Sequence, residues 1–263
     1  MVYLSQILFV ILFSIILYIF LHKKTNISLS YLYKDNILNI LLSLFVFWMI
    51  YDVLPTWGVW IILFITVPFF CVMISTIRFY RTPFRKLIAK DDEIVSPADG
   101  NIIYIKKIES GETPMSVKNG VTAKLDEFLN TGIMDYPCWI IGINMTPFDV
   151  HKNCAPLDGE IILNKHYDGD FLSLKNENAL IRNERNTIIL DTKIGKIGVV
   201  QTASRLVRRI VTYKKEGESL SKGEWFGMIK FGSQVDLILP ATCKINVQIK
   251  EQVYAKKTII SKI

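Results

Sequence analysis

Three short runs of this sequence supply a hydroxyl, an imidazole and a carboxylate, the set that activates a serine. Ser233 follows Gly232 at the end of Gly227-Met-Ile-Lys-Phe-Gly-Ser233. Glycine at 232 leaves its carbonyl open on one side, and the Ser233 hydroxyl stands beside it. If a base takes the hydroxyl proton, the oxygen can attack that carbonyl and turn the peptide bond into an ester. The imidazole is His151, in Asn144-Met-Thr-Pro-Phe-Asp-Val-His-Lys-Asn-Cys-Ala-Pro156, and the carboxylate is Asp99, in Ser96-Pro-Ala-Asp-Gly100. Each also has an ordinary structural reading. Gly-Ser makes a turn between two strands, a lone histidine is a hydrogen-bonder, and an aspartate between proline and glycine bonds its own backbone.

The elements that must position these residues are mostly strands. From Asp91 onward the chain consists of short β-type runs: Asn101 to Ile108, Cys138 to Met145, Glu160 to Asn164, Thr187 to Asp191, Lys196 to Thr202, Leu206 to Tyr213, Trp225 to Phe231, Val235 to Leu239 and Lys244 to Ile249. Alternation marks several of them, and glycines at 100, 159, 195 and 223 punctuate the series. Val117 to Asn130 is the one helical pattern, with Leu125, Phe128 and Leu129 on one side. Strands and helices do not alternate, which argues against a parallel nucleotide-binding sheet.

Ahead of this part lie three apolar runs, about 4–21, 37–54 and 57–77. Each is read as a transmembrane helix, the last two as a hairpin around Pro55-Thr56. The segment from Thr25 to Asn36 reads as a short polar loop. His22-Lys23-Lys24 ends the first run, and neither a basic start nor a small-residue cleavage site marks a signal peptide. Arg78, Arg81, Arg85 and Lys86 follow the third run, and Lys23, Lys24 and Lys34 fall in the loop on the same side. The positive-inside rule then puts that loop and everything after residue 78 in the cytoplasm. The expected fold class is mainly β: a β-rich, barrel- or sandwich-like catalytic domain over 78–263, preceded by an anchor over 1–77.

Hydrophobic residues are 51% of the 263, concentrated in the first third, and the net charge of +7 suits anionic lipid. Nucleic acid is not expected, because the basic residues are dispersed and no recognition motif appears. The cysteines Cys71, Cys138, Cys154 and Cys243 lie far apart, without metal-finger or disulfide-framework spacing. With only His22, His151 and His166 as histidines, no metal site is expected.

In order along the chain, Arg78-Phe-Tyr-Arg-Thr-Pro-Phe-Arg85, Ser96-Pro-Ala-Asp-Gly100, Pro147-Phe-Asp-Val-His-Lys-Asn153 with Pro156 and Gly159, Glu177-Asn178, Asn183-Glu-Arg-Asn186, Gln201-Thr-Ala-Ser204 with Arg208-Arg-Ile-Val211, and Gly227-Met-Ile-Lys-Phe-Gly-Ser233 carry a resemblance. The sequence resembles the phosphatidylserine decarboxylase proenzymes, most closely their short bacterial and archaeal branch, from about residue 78 to the end. The resemblance implies self-cleavage between Gly232 and Ser233. Ester formation is followed by β-elimination and hydrolysis, leaving a long β chain and a short α chain, 233–263, headed by a pyruvoyl group made from Ser233. That group would condense with the amine of phosphatidylserine and take up electrons as carbon dioxide leaves, with no separate cofactor. It implies that Asp99 holds the His151 imidazole, that His151 is the base for Ser233, and that Arg208 or Arg209 binds the lipid phosphate. On a strand those two arginines point to opposite faces, so at most one faces the pocket. Glu184, Arg185, Lys165 and His166 receive no role.

Two departures from the family pattern stand out. Cys154 occupies the place of a second histidine that the long branch uses in self-cleavage, and Gln234 stands where arginine is common. The expected partners are phosphatidylserine in the bilayer, or its ether-linked archaeal analogue, and the paired α and β chains, with a homo-oligomer left open. The competing readings are an archaetidylserine decarboxylase acting by the same mechanism, a membrane-anchored serine hydrolase using Asp99, His151 and Ser233, and a processing-dead lipid-binding module.

Overall fold

The computed structural model describes residues 2–25, 29–109, 115–117, 121–123, 132–146, 149–170, 172, 182–204, 210–230 and 233–263. The side chains of 24, 25, 29–31, 115–117, 121–123 and 233 lie outside that description. The chain divides into two compact units, one of residues 1–81 with 146–148, the other of 82–145 with 149–263.

The first unit holds three helices, α1 (Val2–Thr25), α2 (Leu29–Ile50) and α3 (Thr56–Tyr80), each long and apolar enough to cross a membrane. Phe9 meets Trp60 and Phe13 stacks on Phe64, joining α1 to α3. The second helix starts near residue 29 rather than 37, so most of the polar stretch read as a loop is helical. Its polar side chains face other helices. Asp35 pairs with Arg78 of α3, Ser14 of α1 donates to Asn36 Oδ1 (2.5 Å), and Asn39 donates to Ser14 Oγ (2.9 Å). A helix interior short of water satisfies such groups across the helix contacts, so polarity here marks packing and not a turn.

The second unit is β-rich, as the sequence pattern predicts. Its strands among the described residues are β1 (Glu93–Val95), β2 (Gly100–Ile108), β3 (Met115–Val117), β4 (Val121–Ala123), β5 (Cys138–Met145), β6 (Lys152–Cys154), β7 (Gly159–Tyr167) and β8 (Arg185–Thr192). They continue with β9 (Gly195–Ala203), β10 (Ile210–Thr212), β11 (Ser219–Leu220), β12 (Trp225–Ile229), β13 (Ser233–Pro240), β14 (Lys244–Ile245), β15 (Gln252–Val253) and β16 (Ile259–Lys262). Eight of them form one antiparallel sheet in the order β11-β7-β8-β9-β13-β5-β2-β15. Two three-stranded sheets, β10-β12-β6 and β1-β16-β14, complete a layered β architecture.

Period-two alternation sorts the large sheet's residues onto two faces. Ile141, Ile188, Val199, Val235, Leu237 and Leu239 join Phe226, Ile229, Leu157 and Ile260 of the smaller layer in the main core. Ile140, Ile189, Val200 and Ile238 build a second core with Tyr104 and Met134 on the other face. Within Val117 to Asn130, the run read as helical, the described Val117 and Val121–Ala123 are instead paired strand residues of β3 and β4, where β-branched Val117, Val121 and Thr122 are at home. The rest of that stretch, 118–120 and 124–130, with Leu125, Phe128 and Leu129, lies outside the described residues.

On the second face one glycine makes room for a buried polar contact. Tyr104 on β2 and Asp236 on β13 are both ladder neighbours of Gly142 on the strand between them. A Cβ at 142 would stand 2.5 Å from the Tyr104 ring, so glycine alone lets that ring cross β5. The phenol then donates to Asp236 Oδ1, and Gln234 Nε2 lies 2.9 Å from the same oxygen. Burial pushes the Asp236 carboxyl up to about 7, against the opposing hydrogen bonds from Tyr104 and Gln234.

Candidate active site

The Ser96–Gly100 turn brings the Asp99 carboxylate inside, where it is 1% exposed. Its oxygens do not bond the turn's own backbone. Arg85 approaches as a two-pronged fork, Nη1 to Oδ1 at 2.5 Å and Nη2 to Oδ2 at 2.6 Å. The backbone N–H of Ala255 donates to Oδ1 (2.8 Å) and that of Val150 lies 3.4 Å from Oδ2. Gly100, at φ 152°, then turns the chain against β5, where a Cβ would meet the Asn144 carbonyl at 2.5 Å.

His151 is fully buried, and its Nδ1 lies 2.9 Å from the Asp149 carbonyl oxygen. A carbonyl only accepts, so Nδ1 carries the proton and Nε2 holds the basic lone pair. Asp99 therefore reaches the segment of the imidazole through Val150 N–H, while the Asp149 carbonyl, two residues ahead of the ring, meets its Nδ1. Cys154, in the place of the family's second histidine, donates its thiol to the Ser96 carbonyl (3.4 Å). Burial pushes that thiol up to about 12, so it stays protonated at neutral pH and offers no base.

Ser233 opens β13, and its ladder partners are Met145 and Ala203. The two strand-like runs read on either side of Gly232–Ser233 are both strands, but they are not hairpin partners. β12 belongs to the small sheet and β13 to the middle of the large one, so the chain changes sheet between residues 229 and 233. Gly232, Arg208 and Arg209 lie outside the described residues.

A short path of hydrogen bonds and strand pairs connects the His151 backbone to the start of β13. The His151 carbonyl accepts from Ile229 N–H (3.0 Å), and Ile229 pairs with Ile210. Ile210 N–H donates to the carboxylate of Glu184 (3.1 Å), whose own carbonyl accepts from Ala203 N–H (2.9 Å). Ala203 is the ladder partner of Ser233. Glu184 thus ties together the two ends of the segment that contains Arg208 and Arg209, a task that sequence reasoning left unassigned. His166 Nε2 lies 3.3 Å from the same carboxylate, and the Arg185 guanidinium lies 5.1 Å from the Tyr167 ring centroid.

Sequence reasoning also missed a run of buried amides. Asn186 donates to Asn164 (3.1 Å) and lies 3.4 Å from Gln201 Oε1; Gln201 donates to Asn153 Oδ1 (2.8 Å), two residues beyond His151. Gln201 packs over Gly227, where a Cβ would come within 3.1 Å of its Nε2. The signal was present: Asn153, Asn186, Gln201 and Gly227 all fall within the motifs quoted above.

The phosphatidylserine decarboxylase family matches residues 73–261. The chain belongs to this family. A relative from Methanocaldococcus jannaschii, named archaetidylserine decarboxylase proenzyme, is 40% identical over 192 residues, covering 72% of this chain and 90% of its own. One of the same name from Methanothermobacter thermautotrophicus is 34% identical over 204 residues, covering 73% and 82%. A phosphatidylserine decarboxylase proenzyme from Burkholderia lata is 33% identical over 197 residues, covering 74% and 82%. The decarboxylase match begins within α3 and takes in Asp99, His151 and Ser233.

Proposed function

We propose that this chain is a self-cleaving, pyruvoyl-dependent decarboxylase that converts a serine-headed phospholipid to its ethanolamine form. The observation that carries this reading is the family match across Asp99, His151 and Ser233, with relatives named proenzymes, supported by the link from the His151 backbone through Glu184 to the strand that Ser233 opens. His151, with its lone pair on Nε2, takes the hydroxyl proton of Ser233. The serine oxygen adds to the Gly232 carbonyl carbon, and the Gly232–Ser233 amide bond breaks as the ester forms. Removal of the α-proton of residue 233 then expels the Gly232 carboxylate from the β-carbon, and water converts the remaining unsaturated residue to a ketone with loss of ammonia. Asp99, clamped by Arg85, holds the His151 segment in place from Val150.

A pyruvoyl group at residue 233 fits the topology, because Ser233 is the first residue of β13 and the pairs from Gln234 onward lie wholly on the far side of the cut. Once formed, the group would supply the electron sink for loss of carbon dioxide. His151 would stand beside it to orient the substrate amine or return a proton. Arg208 or Arg209 would take the lipid phosphate, on a segment tied down by Glu184. The substrate is phosphatidylserine or its ether-linked archaeal counterpart, both represented among the relatives' names. The three helices would hold the catalytic unit at the membrane, on the cytoplasmic face by the basic residues that follow α3.

The expected outcome for Ser233→Ala is a single uncleaved chain without decarboxylase activity, seen on a denaturing gel and by carbon dioxide release. His151→Ala is expected to block cleavage as well. Cleavage at the normal rate in the histidine variant would move the base to another group, and decarboxylation by the serine variant would refute the mechanism.

A further inference from the structure

Between the last helix and the first strand, Thr82 to Lys90 has no regular secondary structure, and its burial alternates residue by residue. Pro83, Leu87 and Ala89 are partly buried and the Arg85 side chain is nine-tenths covered, while Thr82, Phe84, Lys86, Ile88 and Lys90 are exposed. Period two is the signature of an extended strap laid on a surface. Its inner side is anchored: Arg85 forks onto Asp99, and Leu87 packs where a Cβ on Gly223 would meet it at 3.3 Å. Its outer side is anomalous. Phe84 is 99% exposed and Ile88 80%, and lysines alternate with them.

One exposed apolar residue is ordinary, but Phe84 and Ile88 stand together on the outer side of an anchored strap, next to the end of an apolar helix. Chain continuity says what they meet. The strap begins two residues after Tyr80, the end of a helix long and apolar enough to cross a bilayer. Four residues of chain span at most about 14 Å, so Phe84 cannot leave the neighbourhood of that helix end. Lysines spaced between apolar side chains are the composition of a segment lying in the interface of an anionic membrane, with cations at the phosphates and apolar groups below them.

We propose that residues 82–90 form a second, interfacial membrane contact, in which Phe84 and Ile88 enter the acyl edge of the bilayer and Lys86 and Lys90 meet lipid phosphates. The strap would also set the depth of the site. Arg85, between the inserted residues, grips Asp99, and Asp99 touches the N–H of the residue before His151. The insertion itself rests on the membrane reading of α3. Its consequence for the lipid substrate rests on the decarboxylase reading above.

The test uses the full chain in vesicles of phosphatidylcholine with a fraction of phosphatidylglycerol. A nitroxide is placed in turn at Phe84→Cys, Lys86→Cys and Ile88→Cys; the four native cysteines are buried. Positions 84 and 88 should be relaxed by oxygen and shielded from a water-soluble nickel complex, and position 86 should show the reverse. Nickel access at 84 and 88 equal to that at 86 would overturn the proposal. A second arm is the Phe84→Ser/Ile88→Ser variant. It should raise KM for the vesicle lipid several-fold and leave kcat on a detergent-dispersed short-chain serine phospholipid unchanged. An unaltered vesicle KM would overturn the depth-setting role. If the unmodified chain shows no decarboxylation, the functional reading fails, and the nitroxide result alone decides the membrane contact.

Discussion

Arg85 and Asp99 face each other through two parallel charged hydrogen bonds in a site where both side chains are at least nine-tenths covered. Burial and pairing give this contact an asymmetric energetics. Removing one partner strands the other's charge away from water, at about 3–5 kcal/mol, whereas removing both charges costs much less. Arg85→Met or Asp99→Asn alone should therefore lower unfolding free energy by about that amount, and the double variant should recover most of it. Unfolding of the detergent-solubilised chain measures this; a single variant that costs less than about 1 kcal/mol would mean that the pair is not a structural clamp. At this scale the sequence announced which residues matter and hid how they meet. Asp99 and His151 stand out by chemical type, but Arg85 lies in a different motif, and only folding brings it to the carboxylate. Cys154 is similar. The sequence shows it in the place of a long-branch histidine, and its burial, invisible in the string of letters, keeps the proton on sulfur.

At the scale of the element, strand β13 carries Ser233 at its head and Asp236 in its middle, and Gly142 links that strand to β2. Gly142→Ala drives a methyl into the Tyr104 ring, and the ring cannot both clear it and keep its bond to Asp236. A loss of about 1–3 kcal/mol is expected, read as a lower midpoint in denaturant; unchanged stability would show that the ring has a second seat. Asp236 makes the same strand pH-sensitive. Its folded carboxyl titrates near 7, above the unfolded value near 3.8, so the folded protein holds the extra proton between those values. The stability from this group is fully present below about pH 4 and is lost as the pH rises through about 7. Asp236→Asn should flatten the fall between about pH 4 and 7, measured as melting temperature against pH. An identical slope in the variant would assign the dependence elsewhere. Strands were legible as apolar runs, as in β5 and β13, whereas of the run Lys244 to Ile249, with its alternating Ile245, Val247 and Ile249, only Lys244–Ile245 is strand. The start of α2 was not legible, because Asp35 and Asn36 look like a loop until the partners Arg78 and Ser14 are seen. The sheet change between β12 and β13 was equally hidden, since two adjacent strands joined by Gly-Ser read as a hairpin.

For the whole molecule, the central claim is that the chain severs itself ahead of residue 233 and still works as one body. The topology suits that claim. The fragment 233–263 would keep β13 between β5 and β9 in the large sheet, with β15 on β2 and β16 on β1. Val235, Leu237, Ile238 and Leu239 are all fully buried, so no covalent link is needed to hold the short chain. The most direct measurement is the mass of the chains in purified, active protein. The account predicts two components, one ending at Gly232 and one running from 233 to 263 with a pyruvoyl group in place of the serine amino terminus. Active protein consisting of one unbroken chain with an ordinary serine at 233 would contradict it.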